Sequence, residues 1–592
     1  MRNSSARTSA FVLSVVLLAG ILSACGGSPE ETDEVPERTF SDRLSFENVT
    51  EAAGLSGFRH ETGAFGLIWF PESMGSGAAF FDYDGDGWQD IALAGGGRWS
   101  AAGGSAMSSE EVLPLRLYRN LGDGTFSEVT ETVGLAGFDG ARDVYGLGIA
   151  AADYDGDGDL DIYLSALAEN LLFRNEGGVF VEVGREAGVA GEAVWSSSPI
   201  FFDADRDGDL DLYVGNYVAW SPETDIYCSL DGVNKGYCTP ETYEGVAGRF
   251  YRNRGDGTFA DETEAAGFLP AAGKTLGVAE LDFNRDGWPD LMVANDTQPD
   301  YLYVNNGDGT FSERGALSGV AYDENGKARA GMGVDTGVVD STGQASVFVG
   351  NFSSEMIGVY RHLHDGLFID RAALSQIGRP SLMTLTFSLF LADFDLDTDL
   401  DLFAANGHVQ PEIETVQDNV GYEEKPHLFL NRGDGTFEDA PPGRGGARSA
   451  RAGGPRPAAA YPARAGDIVV LMVENGGGAH LWRNNLLENG AAGADDNPVF
   501  LRVMLEGSAS NREGLSSSVE VVLGDLRMER RVRTGSSYLS QNELPVTFGL
   551  GEHIVADSLI VRWPSGVVDR FAQVEGNRQY QVVEGAARLT AW

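Results

Sequence analysis

A chain of 592 residues with a formal net charge of −47 has room for several domains or one long repeat array. Apolar residues at 42% and plentiful aromatics exclude a disordered acidic polymer, and so large a negative charge argues against nucleic acid as a partner. The 79 glycines announce many tight turns.

The first element is a targeting segment. Arg2 and Arg7 precede the apolar run "FVLSVVLLAGIL" at Phe11–Leu22. A membrane-spanning helix takes about 20 apolar residues, so this run reads as the core of a signal sequence. It ends in "LSAC", Leu22 to Cys25, which resembles a bacterial lipobox. The resemblance implies a signal peptide over 1–24, lipid on Cys25, and a chain anchored in the cell envelope, on the periplasmic or surface face of the outer membrane. The membrane is then met only through that lipid. An ordinary cleaved signal with an incidental cysteine is the weaker alternative. Residues 25–43, with "GGSPEETDEVPER", form an acidic tether. Export also favours a disulfide between Cys228 and Cys238, ten positions apart. These two alone are a poor metal site, because no nearby His or Cys completes a ligand set.

From about residue 44 three elements rotate in strict order, each seven times. The first is F-x-E/D-x-T with a following G-L, as in "FENVTEAAGL" at Phe46 and "FSEVTETVGL" at Phe126, with looser copies at Phe180, Phe311, Phe368 and Phe437. The second is an aspartate loop. The third is "LYRN" at Leu117 and its copies at Leu172, Phe250, Leu302, Val359, Leu428 and Leu481. Short apolar runs such as "DIYLSAL" and "DLFAANG" predict strands, and the recurrent "GDGTF" predicts hairpin turns. Each repeat is therefore a small antiparallel sheet, and seven of them arranged radially make an all-β, seven-bladed β-propeller over 44–487. The array stops after "LWRN", one strand short. The spare strand at Phe46–Val49 is expected to close the ring beside Leu481–Arg483, removing an open edge.

The aspartate loop has the pattern D-x-D-x-D-G-x-x-D. Calcium takes six to eight oxygen ligands. Positions 1, 3, 5 and 9 offer carboxylates, position 7 a backbone carbonyl, and the glycine at 6 a sharp bend. Without a cation these carboxylates repel one another. The candidate ligands are Asp82, Asp84, Asp86, Trp88 and Asp90; Asp153, Asp155, Asp157, Asp159 and Asp161; and Asp203, Asp205, Asp207, Asp209 and Asp211. A fourth set is Asp282, Asn284, Asp286, Trp288 and Asp290, with a neutral donor at position 3. A fifth is Asp393, Asp395, Asp397, Asp399 and Asp401, with Thr398 where the others have glycine. A β-branched residue fits positive φ poorly, so this loop is expected to be reshaped and weaker. About five calcium ions are predicted. Two eroded copies, Val338–Ser346 and Ala459–Asp467, are expected to be empty. An EF-hand is rejected: it needs Glu at position 12, and Leu93, Leu164, Val214, Val293 and Ala404 stand there.

These repeats resemble the FG-GAP/VCBS repeats of integrin α-subunit propellers and bacterial exported proteins, which implies calcium in the loop between the first strands of a blade. Downstream, "SNREGLSSSVEVV", "RTGSSYLSQNELPVTFGLG" and "VRWPSGVVDRF" resemble the ASPIC/UnbV domain, assigned to 495–588. Ser516, Ser517 and Ser518 depart from the glycine-alanine-arginine usual there. Its predicted strands suggest a small β-sandwich. The whole is similar to the cartilage-acidic-protein-like group, whose function is poorly defined.

No catalytic constellation stands out. His362 with His364, His60 with Glu61 and Glu72, and His408 read as surface or loop hydrogen-bonding residues. Arg512 is expected in a buried ion pair, with Glu513 one candidate partner. The chain reads as a monomeric calcium-binding scaffold or adhesion module for a protein or glycan, presented by propeller loops. The alternative is an extracellular propeller enzyme acting on polysaccharide or peptide.

Overall fold

The structure is a computed structural model that describes residues 40–63, 66–99, 112–138, 144–268, 273–323, 325–364, 366–440, 458–462, 468–487 and 497–591. The signal segment, Cys25, most of the tether and Asp467 lie outside the described residues.

Strand accounts for 43% of the chain and helix for 6%, so the fold is all-β. From Ala78 onward, four-stranded antiparallel units follow one another in chain order, the second and third joined into one eight-stranded sheet where Val194 and Trp195 pair with Ala168 and Leu167. In the first, Ala78–Phe81 pairs with Asp90–Ala94, that strand with Leu115–Asn120, and that one with Phe126–Glu128. The aspartate loop is the connection between the first two strands. The sequence explains the division of labour. The first two strands are apolar runs buried throughout, while the fourth has Phe126 buried and Ser127 and Glu128 exposed.

The first strands of consecutive sheets pack side by side in sequence, and Ala458–Pro462 returns to lie against Ala78–Phe81. The sheets thus run in a propeller-like circle. The last one is completed from the other end of the chain: Phe46 pairs with Asn484, Glu47 with Arg483 and Asn48 with Trp482. The spare N-terminal strand closes the ring as its position in the repeat order requires.

The C-terminal region has two further four-stranded sheets, built around Val499–Glu506 and Ser518–Leu523. Leu501, Val503, Val519, Val521, Leu559 and Val561 share one apolar cluster, which extends to Phe201 and Leu212 of the ring. The segment Arg533–Gln541 reaches into the circle of first strands. Gln541 exchanges backbone hydrogen bonds with Ala78 and Phe80, and its side-chain amide bonds both N–H and C=O of Ala151. Thr534 Oγ1 does the same at Phe201, and Ser537 exchanges two backbone bonds with Val334. Arg533 donates to the Glu280 carbonyl at 2.9 Å, and the Tyr538 ring meets Phe387 at 5.2 Å. One segment touches the first strands of six of these four-stranded units, which places it at their common centre.

Candidate metal centres

In four of the five aspartate loops the carboxylates converge. Ligand oxygens of Asp82, Asp84 and Asp86 lie within 4.8 Å of one another, as do those of Asp153, Asp155 and Asp161, of Asp203, Asp205 and Asp207, and of Asp393, Asp395 and Asp401. The backbone holds the ends of loops one, two, four and five, whereas Asp203 of loop three accepts no such bond. The position 1 carboxylate accepts the position 6 N–H, from Gly87 at 2.7 Å, Gly158 at 2.8 Å and Gly287 at 3.0 Å. Thr398 makes the same bond to Asp393 at 3.1 Å, with φ at +98°. The expectation of a reshaped fifth loop is therefore corrected. The loop keeps its hydrogen bonds and the strain falls on the threonine instead.

At position 9 the carboxylate bridges two strands. Asp90 accepts from Tyr83 N–H at 3.0 Å and Asn120 N–H at 2.7 Å. Asp161 accepts from Tyr154 at 3.1 Å and Asn175 at 2.7 Å, and Asp401 from Phe394 at 3.0 Å and Asn431 at 2.8 Å. Asp211 and Asp290 repeat the arrangement with Asn253 and Asn305.

That asparagine is the last residue of the "LYRN" element, a role that sequence reasoning missed. Asn175 Nδ2 donates to Leu160 O in its own loop at 3.1 Å and to Tyr83 O in the preceding loop at 2.8 Å. Asn253, Asn305 and Asn431 bond in the same way, to Tyr154, Ala204 and Val339 of the sheet before. Loops two to five are thus each fastened to the loop before. The signal was present in the chain: the one copy that ends in histidine, "VYRH", belongs to the eroded loop at Val338–Ser346. There His362 packs against Phe283 and Phe368. Arg361 pairs with Asp340, so a guanidinium supplies the cation that this loop would otherwise lack.

The carboxylates are poised for a cation. Burial, reinforced by the neighbouring carboxylates, pushes Asp82 and Asp153 up to about 6, Asp203 to about 7, Asp90 and Asp290 to about 8 and Asp161 to about 9. Asp393, Asp395 and Asp401 are raised well above the ordinary carboxylate range by the same causes. Oδ1 of Asp84, Asp155, Asp205, Asp282 and Asp395, and both oxygens of Asp203, are buried with no hydrogen-bond partner. Buried unpaired oxygens are costly, and a hard divalent cation satisfies them. The donor sets therefore fit calcium. Arginine occupies some of the same space: Arg119 Nε lies 2.6 Å from Asp84 Oδ2, and Arg252 donates to Asp205 and Asp211 at 2.8 and 3.0 Å. Loop four is the outlier. Asn284 turns its amide nitrogen to Asp286 at 2.7 Å.

Other sequence candidates are structural. His60 is fully buried; burial lowers it to about 3, and its Nδ1 accepts from Gly476 N–H at 3.2 Å. Glu61 lies 3.7 Å from Arg59, and Glu72 accepts from Trp69 N–H at 2.6 Å. Burial lowers His408 to about 4, and its Nδ1 accepts from Gln410 N–H at 3.1 Å. The expectation of a buried ion pair for Arg512 is corrected: the side chain is exposed and lies 3.6 Å from Glu506. Cys228 and Cys238 form a disulfide with Cα atoms 5.1 Å apart.

Residues 82–164, 225–293 and 282–349 match the FG-GAP-like repeat family, and 507–589 match the ASPIC and UnbV family. Cartilage acidic protein 1 of Xenopus tropicalis is 25% identical over 459 residues, taking in 73% of this chain and 63% of the frog protein. The Homo sapiens protein is 25% identical over 289 residues, 48% of this chain and 42% of its own. The chain thus spans less than two-thirds of the length of the curated relatives it matches. Among solved structures, an Agrocybe aegerita lectin that recognises non-reducing terminal N-acetylglucosamine aligns with 68% of this chain and 86% of its own, at 18% identity and a TM-score of 0.38. YCF48 bound to D1 peptide aligns with 70% and 93%, at 9% identity and a TM-score of 0.37.

Proposed function

We propose that this chain of FG-GAP-like repeats with a C-terminal ASPIC and UnbV domain is a calcium-stabilised binding or scaffold module of the cell envelope. In this reading 44–487 is a seven-bladed propeller, 495–588 a β-sandwich, and Cys25 the lipid-bearing residue. The supporting observation is the repeated convergence of carboxylates whose buried oxygens have no partner. About five calcium ions fill the loops and tie the first two strands of a blade to the asparagine of the third. A protein or glycan binds the propeller, and the face bearing the Cys228–Cys238 loop suits this. Tyr227 and Val233 there are 64% and 76% exposed. The enzyme alternative loses ground because Arg533–Gln541 fills the centre of the ring, where converging catalytic groups would have to stand.

The test is calcium counting by elemental analysis on the folded chain, followed by glycan- and protein-array binding with and without chelator. Five ions and calcium-dependent binding without turnover are expected. A chain that binds no calcium at millimolar concentrations rejects the proposal. Tyr227→Ala is expected to lower array binding without changing the ion count.

A further inference from the structure

The five loops share a spacing but differ in cover. Loop one faces solvent, with Asp86 exposed. In loop five Asp393, Asp395 and Asp401 are only 4%, 2% and 1% exposed; positions 1 and 9 are as buried in loops two and three, and it is position 3, Asp395 against the half-buried Asp84, Asp155 and Asp205, that sets loop five apart. The cover is the C-terminal domain. Gly549 N–H donates to Asp393 Oδ2 at 3.0 Å, and Gly551 N–H donates to Leu396 O at 3.0 Å. The approach is so close that a Cβ on Gly549 would lie 2.3 Å from Asp393 Oδ2 and 2.4 Å from the Leu396 backbone. Below this lid, Phe394 and Leu396 are fully buried in an apolar cluster with Phe390 and Phe403.

Asp395 Oδ1 is buried there with no partner. Where a cavity of about 160 Å³ reaches Asp393, it is lined by Arg530, whose guanidinium faces Asp393, Asp399 and Asp401. A cation leaving by that side meets a positive charge.

We infer that loop five is an occluded inter-domain calcium site: its ion is enclosed when the C-terminal domain docks and leaves only when that domain lifts. The inference rests on the calcium reading above and adds to it a kinetic distinction among the sites. Ions in open loops exchange by simple dissociation. An ion in loop five waits for a sub-global opening, and such openings are rare in a well-packed interface. The same enclosure makes Thr398 tolerable, because a strained residue persists where its surroundings over-determine it.

The test uses the full chain loaded with calcium, mixed with excess chelator, desalted at intervals and analysed for bound ions by elemental analysis and native mass spectrometry. One ion per chain is expected to remain while the others are gone, leaving about a hundredfold more slowly or slower still. In Asp395→Asn the retained ion is expected to be absent. In Arg530→Gln it is expected to leave about tenfold faster, because the guanidinium that faces Asp393, Asp399 and Asp401 from the C-terminal domain no longer helps to hold that domain down. Loss of all ions in one fast phase overturns the inference while leaving calcium binding intact. A slow ion that persists in Asp395→Asn also overturns it, because the ion then sits elsewhere. Failure to load any ion rejects the calcium reading itself. Should Asp395→Asn not fold, the Arg530→Gln exit rate decides: an unchanged rate overturns the inference.

Discussion

Loop one and loop five carry the same four aspartates at the same spacing, yet they occupy different physical settings. Loop one turns Asp86 to solvent and leaves Asp82 and Asp84 half-buried, with Arg119 against Asp84 and Asp86, although its Asp90 is fully buried. Asp393–Asp401 lies beneath another domain, with its carboxylates pushed well above their ordinary range by burial and by one another. Spacing along the chain chooses the ligand atoms. Tertiary cover decides how strongly the chain depends on the ion, because like charges repel far more where water is excluded.

The largest expected effect is calcium removal from all loops together. At about 100 times Kd each ion adds roughly 2.7 kcal/mol, so five ions amount to much of a domain's stability. Differential scanning calorimetry with and without chelator is expected to show a fall in Tm of more than about 10 °C. An unchanged Tm would make the loops ornamental. The next effect separates the two loops. Asp395→Ala deletes a position 3 carboxylate that is only 2% exposed and is expected to cost about 3–5 kcal/mol in calcium. Asp84→Ala, the same position in loop one, where the carboxylate is only half-buried, is expected to cost about 1 kcal/mol in calcium. Equal losses in urea unfolding would erase the distinction.

Much of the architecture is legible in the chain itself. The rotation of three elements implies the sheets, and the missing last strand implies the closing partner at Phe46, which pairs with Asn484. The aspartate spacing is a local signal, because each loop's ligands lie within nine positions and the turn brings them together whatever the rest does. What is not legible is non-local. Nothing in "GLG" at Gly549–Gly551 says that it lies on Asp393, 156 positions away. Nothing in "RTGSSYLSQN" says that its side chains and backbone reach the first strands of six four-stranded units. The expectation for Arg512 fails for the same reason, since the chain shows charge but not which acid is near or how much water remains. The asparagine of "LYRN" is legible in principle: its one loss coincides with one of the two eroded loops.

Those asparagines carry the third prediction. Asn431→Ala removes donors to Val339 O and Leu400 O, and Asn175→Ala removes donors to Tyr83 O and Leu160 O. Each is expected to lower stability by about 1–3 kcal/mol, since buried carbonyls lose their partners. A double variant with the position 9 aspartate is expected to show less than the sum of the two losses, because both hold the same loop.

The fourth prediction concerns pH and loop one, where Asp82 and Asp90 are held at about 6 and about 8 without metal, facing Asp84, Asp86 and Arg119. Folded values above the unfolded value near 3.9 favour the protonated form. For these groups the metal-free fold is therefore best supported below about pH 4 and loses that support as pH rises towards about 8. Calcium reverses the sense, because it binds the ionised form. Its affinity is expected to fall as pH drops from about 8 to about 6, with proton release on binding. Titration calorimetry in buffers of different ionisation enthalpy checks this. Affinity independent of pH over that range would mean that the carboxylates are already ionised.

The smallest effect is the sharpest comparison of the two loops, because it exchanges one residue between them. Gly87 has φ of +86° and donates to Asp82; Thr398 has φ of +98° and donates to Asp393. A β-branched residue at positive φ costs of order 1–3 kcal/mol, partly offset by the smaller entropy it loses on folding. Thr398→Gly is therefore expected to raise stability by about 1 kcal/mol in urea unfolding, and Gly87→Thr to lower it by a larger amount. The asymmetry follows from the cover. Loop five has the Gly549 and Gly551 contacts on Asp393 and Leu396 to hold the strained turn in place, whereas Gly87 is itself buried next to the exposed Asp86, and a threonine there would be accommodated by giving up the Gly87 hydrogen bond. If Gly87→Thr left calcium affinity and stability unchanged, the open loop would tolerate the threonine as well as the covered one, and enclosure would not be what permits it.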